Sequence, residues 1–144
     1  MFEKTLINLL AADSDLQSLL STFSGNPAIF SSAAPQKAER PYIVFDIDKI
    51  AVENLAASGF DIVLDIYHRQ ESGVEIREIA ERIEFVCDRA LIRVDAGGRF
   101  QAIRIYYEDY REVENSDVKI RHGVVRLSAR AGRKKWAEET ISRP

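Results

Sequence analysis

Asp46, Asp48, Asp61 and Asp65 alternate with apolar residues in two stretches, YIVFDIDK at 42–49 and GFDIVLDIYHR at 59–69. Alternation puts each pair on the polar face of its strand. Carboxylates paired in this way can bind Mg²⁺ or divide acid and base roles. The same spacing also makes a solvated sheet face, or an acidic border to a channel or partner. Such a border would let DNA pass without sticking, since phosphate affinity comes from cationic contacts. His68 and His122 each stand isolated in a strand pattern. A histidine acts as a general base only with a partner in reach, so both read as surface or edge-strand residues. Arg133-Lys134-Lys135-Trp136 joins three cations to the only Trp. That combination can hold phosphates and stack on a base, anchor in a neighbouring subunit, or form a loose end. Cys87 lies on an apolar helical face and reads as core. The chain has no serine nucleophile elbow, no HExxH and no phosphate-binding loop.

The elements that position these residues follow from periodicity. Phe2, Leu6, Leu9 and Leu10 form one helical face. That helix should end near Asp13, with Ser14 as the next N-cap and Gln17 completing a capping box. Leu16, Leu19, Leu20 and Phe23 carry a second short stripe, stopped at Gly25-Asn26-Pro27. Residues 24–41 are small, polar and rich in proline, and predict a long loop with a short strand near Ala28–Phe30. Strands follow at 42–49 and 59–69, with 50–57 left open between loop and turn. Ser72 to Glu75 predicts a capping box that opens the best helix, about 73–90. There Ile76, Ile79, Ala80, Ile83, Val86, Cys87 and Ala90 form the apolar stripe. Gly97-Gly98 reads as a turn, 100–109 as a strand, Asn115-Ser116-Asp117 as a hairpin turn and 118–129 as the last strand. Tyr106 and Tyr107 should fall on opposite sheet faces. The expected fold is α+β: a mostly antiparallel sheet of four to five strands with helices on one face. Residues 1–129 should form one domain, followed by a basic tail over 130–144.

Composition narrows the function classes. The chain of 144 residues carries a net charge of −3, which disfavours a generally cationic nucleic-acid binder. The charge is polarised. Residues 1–110 hold 11 cations against 18 acids, whereas residues 111–144 hold 9 against 5. An acidic body with a basic end suits head-to-tail contacts between copies. One cysteine excludes an intramolecular disulfide and a cysteine-built zinc site. The first residues carry acids where a signal peptide has none, and no apolar run approaches the length of a membrane span.

The ordered pattern resembles the tail terminator proteins of long-tailed bacteriophages and prophages, also called tail-completion or head–tail joining proteins. It comprises FEKTLINLLAADSDLQSLL at the N-terminus, RPYIVFDI at 40–47, GFDIVLDIYHR followed at once by VEIREIAERIEFVCDRAL at 74–91, then FQAIRIYYEDYRE at 100–112 and RHGVVRLSA at 121–129. The resemblance covers about residues 2–129. It implies a virion structural protein rather than an enzyme, with no catalytic residues, no cofactor and no metal. It implies a closed ring, usually of six subunits, at the tail end where tail meets head. The partners would be the tail tube protein and a neck or head-closure protein, with assembly in the host cytoplasm and no membrane. DNA would pass through the ring without sequence-specific binding. Asp46, Asp48, Asp61 and Asp65 are then expected to face the lumen or a partner. Contacts to neighbours or the tube are expected from Pro35, Lys37 and Arg40 in the long loop, Arg111 and Arg121 near the last hairpin, and Arg133, Lys134 and Trp136. A neck or head-closure adaptor is the alternative. A small metal-dependent α+β enzyme or a nucleic-acid-binding module stands lower.

Overall fold

The computed structural model describes residues 2–54, 57–69, 73–96, 99–114 and 120–132. The capping box at Ser72, the Gly97-Gly98 turn, the Asn115–Asp117 turn and the tail from Arg133 onward lie outside them. Helix α1 (Phe2–Ala11) buries Leu6 and Leu10 completely, one turn apart on one face. Helix α2 (Ser14–Leu19) starts one residue earlier than its expected cap implies. Asp13, not Ser14, is the N-cap. Its backbone is extended, and its carboxylate accepts the Leu16 N–H at 2.9 Å. Both residue types cap well. Asp13 wins because it also takes two hydrogen bonds from Arg82, at 2.6 and 2.8 Å.

The 24–41 segment is more structured than its composition suggests. Strands β1 (Thr22–Phe23) and β2 (Asn26–Pro27) form a tight hairpin. Its two central residues, Ser24 and Gly25, have φ of 53° and 82°. Positive φ at both positions matches the right-handed twist of the flanking strands. Strand β3 (Ile29–Ser31) then runs parallel to β4 (Tyr42–Asn54), with Ile29 opposite Ile43. The loop from Ser32 to Pro41 is the crossover between them.

Strand β4 and β5 (Ala57–Arg69) form one long antiparallel hairpin, so the open stretch 50–57 is mostly strand. Helix α3 (Gly73–Cys87) follows, then β6 (Leu91–Ala96), β7 (Arg99–Val113) and β8 (Ile120–Gly132). The sheet order is β3-β4-β5-β8-β7-β6. The fold class is α+β as expected, but the sheet has six strands rather than four to five, and its β3 edge is parallel. Strand β6 was not expected. In LIRVDA, Ile92, Val94 and Ala96 alternate with Arg93 and Asp95, a short strand signal that the expected elements leave out. The strand pairs with β7 across Leu91↔Arg104. Arg89 leads into it with a left-handed backbone, φ 64°, and donates its N–H to the Ile105 carbonyl.

Helix α3 packs on β5, β7 and β8, while α1 touches α3 and both edge strands, β3 and β6. The sheet therefore curls around the helices. Its inner face is built from register rows such as Phe45–Leu64–Val125 and Ile47–Ile62–Leu127. Against them α3 presents Ile76, Ile79, Ile83 and Cys87, all without accessible surface. Burial pushes the Cys87 thiol up to about 12, which keeps it protonated and unreactive. His68 contradicts its expected surface position. It alternates with Leu64 and Ile66 on the inner face of a central strand and is buried, with Nδ1 3.1 Å from the Arg69 carbonyl oxygen. Sheet order, which the sequence does not display, decides this.

Candidate functional site: the uncovered sheet face

Helices pack on one side of the sheet, and the other side carries the polar alternation. Strand β4 contributes Tyr42, Val44, Asp46 and Asp48, and β5 contributes Asp61, Val63, Asp65 and Tyr67. Asp48 lies directly opposite Asp61, and Asp46 opposite Val63. Asp46, Asp48 and Asp61 are exposed. Like charges facing each other across strands are destabilising by roughly 0.2–1 kcal/mol. The acidic pair therefore costs the fold stability.

Strands β8 and β7 finish the face differently. They bring Arg126 and Arg130, and Arg104 and Arg111. A bulge between Tyr107 and Asp109 adds one residue, Glu108, to β7. Tyr107 and Tyr110 consequently both face the helices, and Glu108 and Asp109 both face outward. Tyr106 is exposed and Tyr107 is packed against the core, as their expected split requires. Asp61, Val63, Glu108, Asp109, Arg126 and Ser128 surround a groove of about 310 Å³. Ser128 donates its hydroxyl to Glu108 at 2.6 Å. Three carboxylates against one guanidinium leave the groove acidic.

At the end of the face where β4 begins, aromatic rings run in a row across five strands. Ring centroids are 5.5 Å apart for Phe23–Phe30, 6.0 Å for Phe30–Tyr42, 5.3 Å for Tyr42–Tyr67 and 4.5 Å for Tyr67–His122. The last pair is stacked, with 14° between planes. His122 Nε2 lies 2.7 Å from Asp65 Oδ1. His122 is therefore neither isolated nor on an edge: β8 is central, and Asp65 is its partner. Burial, then Asp65 and Tyr42, push the Tyr67 phenol above its ordinary value, so it stays neutral and uncharged against the pair. The row was invisible in sequence because its members come from five strands, and only the register Tyr42↔Tyr67↔His122 aligns them.

The remaining expected contact residues divide by location. Pro35 and Lys37 are exposed in the crossover loop, where the Pro35 carbonyl accepts the Ala38 N–H, and Arg40 is half-buried. Arg111 is exposed on the outer face opposite Val124. Arg121 lies on the inner side and is ion-paired with Glu112. The crossover loop and the β7–β8 hairpin lie at the same end of the sheet, because Tyr42, Tyr67, His122 and Val113 share one register row. Among the described residues, no group of three or more His, Cys, Asp or Glu side chains is placed to hold a metal ion. No described helix is long and apolar enough to cross a membrane.

Two solved structures share this arrangement. One is a chain of the virion of the native gene transfer agent particle, with TM-score 0.67 and 14% identity, covering 90% of this chain and 93% of that one. The second carries no functional name, with TM-score 0.61 and 10% identity, covering 90% and 89%. At these identities the likeness establishes the fold. No curated protein matches the chain in sequence. The family model for tail completion protein gp17 matches residues 4–132, every element from α1 to β8. The chain belongs to the tail completion protein gp17 family and is a structural protein of bacteriophage tail assembly.

Proposed function

We propose that this protein forms a closed ring on the last ring of the tail tube, stops its growth and presents the surface to which the neck of the head attaches. Membership of the tail completion family over residues 4–132 is the observation that carries the reading. The geometry supports it in two ways. A ring of identical subunits needs two different surfaces per copy that meet head to tail. The chain has two unlike sheet edges, a three-residue parallel β3 and an antiparallel β6. Its crossover loop, with Pro35, Lys37 and Arg40, also lies at the same sheet end as the β7–β8 hairpin that carries Arg111 and Arg121, a single end suited to meeting the tube. The acidic outer face, with Asp46, Asp48 and Asp61, suits one of two places: the lumen, where it would repel DNA phosphates, or the contact with a basic partner surface.

The test is solution mass by light scattering across a concentration series, followed by electron microscopy. A discrete species near six times 16.3 kDa with a central hole is expected. An open-ended, concentration-dependent ladder of sizes would overturn ring closure. Co-purification with heads rather than with tubes would reassign the protein to the neck.

A further inference from the structure

The uncovered sheet face has a charge and shape for which the chain itself holds the complement. The β4–β5 half of the face is acidic and exposed through Asp46, Asp48 and Asp61, and it adjoins the acidic groove that Glu108 and Asp109 border. The half-buried rings Tyr42, Tyr67 and His122 lie further along the same strands. Residues 133–136 read Arg-Lys-Lys-Trp: three cations, then the only Trp. We infer that residues 133–136 of one copy dock on the uncovered sheet face of a second copy. The cations lie against Asp46, Asp48 and Asp61, and Trp136 against the Tyr42–Tyr67–His122 row. The inference rests on the self-assembly proposed above and names the surface that receives the tail.

Chain reach selects a second copy over the chain's own face. Strand β8 ends at Gly132, which pairs with Ala57 and Ala102 at the end of the sheet away from the aromatic row. His122 lies ten residues back along β8, about 33 Å at the rise of a strand. Trp136 stands four residues past Gly132 and reaches at most about 14 Å. It cannot fold back onto its own row. The same extended segment, coming from a neighbour, spans about 10 Å from Arg133 to Trp136. With side-chain lengths added, that suits the stretch from Asp61 to Tyr67. Trp is enriched at interface hot spots. Complementary charge fixes register and raises the association rate.

The experiment titrates the full-length protein into a fluorophore-labelled peptide of residues 130–144 and reads anisotropy. In parallel, Trp136 emission is followed as the full-length protein is concentrated. Saturable binding is expected, weakening several-fold as salt rises, since exposed charges are screened beyond about 10 Å at 0.1 M. The triple variant Asp46→Lys, Asp48→Lys, Asp61→Lys should bind more than about tenfold more weakly, because like charges then face each other. Should that variant not fold, Asp46→Asn, Asp48→Asn, Asp61→Asn replaces it, with a smaller loss expected. A peptide carrying Arg133→Glu, Lys134→Glu and Lys135→Glu should fail on the natural protein and bind the lysine variant. Trp136 emission should move to shorter wavelength with association. Absence of peptide binding, equal binding to both faces, or binding to duplex DNA in its place would overturn the inference. A ring whose Trp136 emission never changes would overturn the docking and leave the ring intact. Peptide binding by a chain that never closes a ring would do the reverse.

Discussion

At the scale of single residues, Asp13 joins two jobs. It caps α2 through the Leu16 N–H and ties α2 to α3 through Arg82. The Arg82 hydrogen bonds are the main reason that its carboxyl titrates below the ordinary value of 3.8. A carboxylate held lower in the folded state stabilises it above the unfolded pKa and loses that contribution as pH falls through the folded one. Asp13→Ala should therefore cost about 1–2 kcal/mol near neutrality, the usual cost of losing a cap. The melting temperatures of both forms should approach each other as pH falls below 3.8, and a constant gap at every pH would contradict the account. Asp61→Asn should act in the opposite direction, raising stability by a few tenths of a kcal/mol in denaturant titration by relieving its repulsion with Asp48. Among the described residues, Phe85 is the most exposed large apolar side chain, with Arg82 4.2 Å above its ring.

At the scale of elements, the packing of α3 on the inner sheet face holds the outer face in shape. Ile83 is fully buried in that contact, so Ile83→Ala should cost about 2–5 kcal/mol. Gly123 shows how close the layers lie. A Cβ there would stand 2.8 Å from Tyr110 Cε1 and 3.3 Å from Ile76 Cδ1. Gly123→Ala should therefore destabilise by about 1–3 kcal/mol, an overpacking cost measurable in denaturant titration. A neutral result would mean that Tyr110 swings away freely.

Periodicity made much of this scale legible. The α3 stripe and the 59–69 strand appear in the sequence with their faces correctly assigned. Three elements were missed. Strand β6 does alternate, through Ile92, Val94 and Ala96, but over only six residues close behind α3. The β1–β2 hairpin depends on positive φ at Ser24, a residue type that gives no such signal. The Glu108 bulge breaks the period of two, so a strict reading of β7 carries Asp109 to the wrong face. The candidate site was legible as four aspartates but not as a surface. Its aromatic row and its Asp65–His122 pair exist only through strand register, which pairs residues 57 positions apart.

At the scale of the whole molecule, one curled sheet with helices inside leaves a polar and aromatic face outward and a loop-bearing end. These are two unlike surfaces on a chain that belongs to a tail completion family. Asymmetry of that kind suits a subunit that must meet its neighbours, the tube and the neck at once. The most direct test adds the purified protein to tail tube protein during polymerisation and images the tubes by electron microscopy. The account predicts shorter tubes whose growth stops on addition, each with extra ring density at one end. Tubes of unchanged length with bare ends would contradict it.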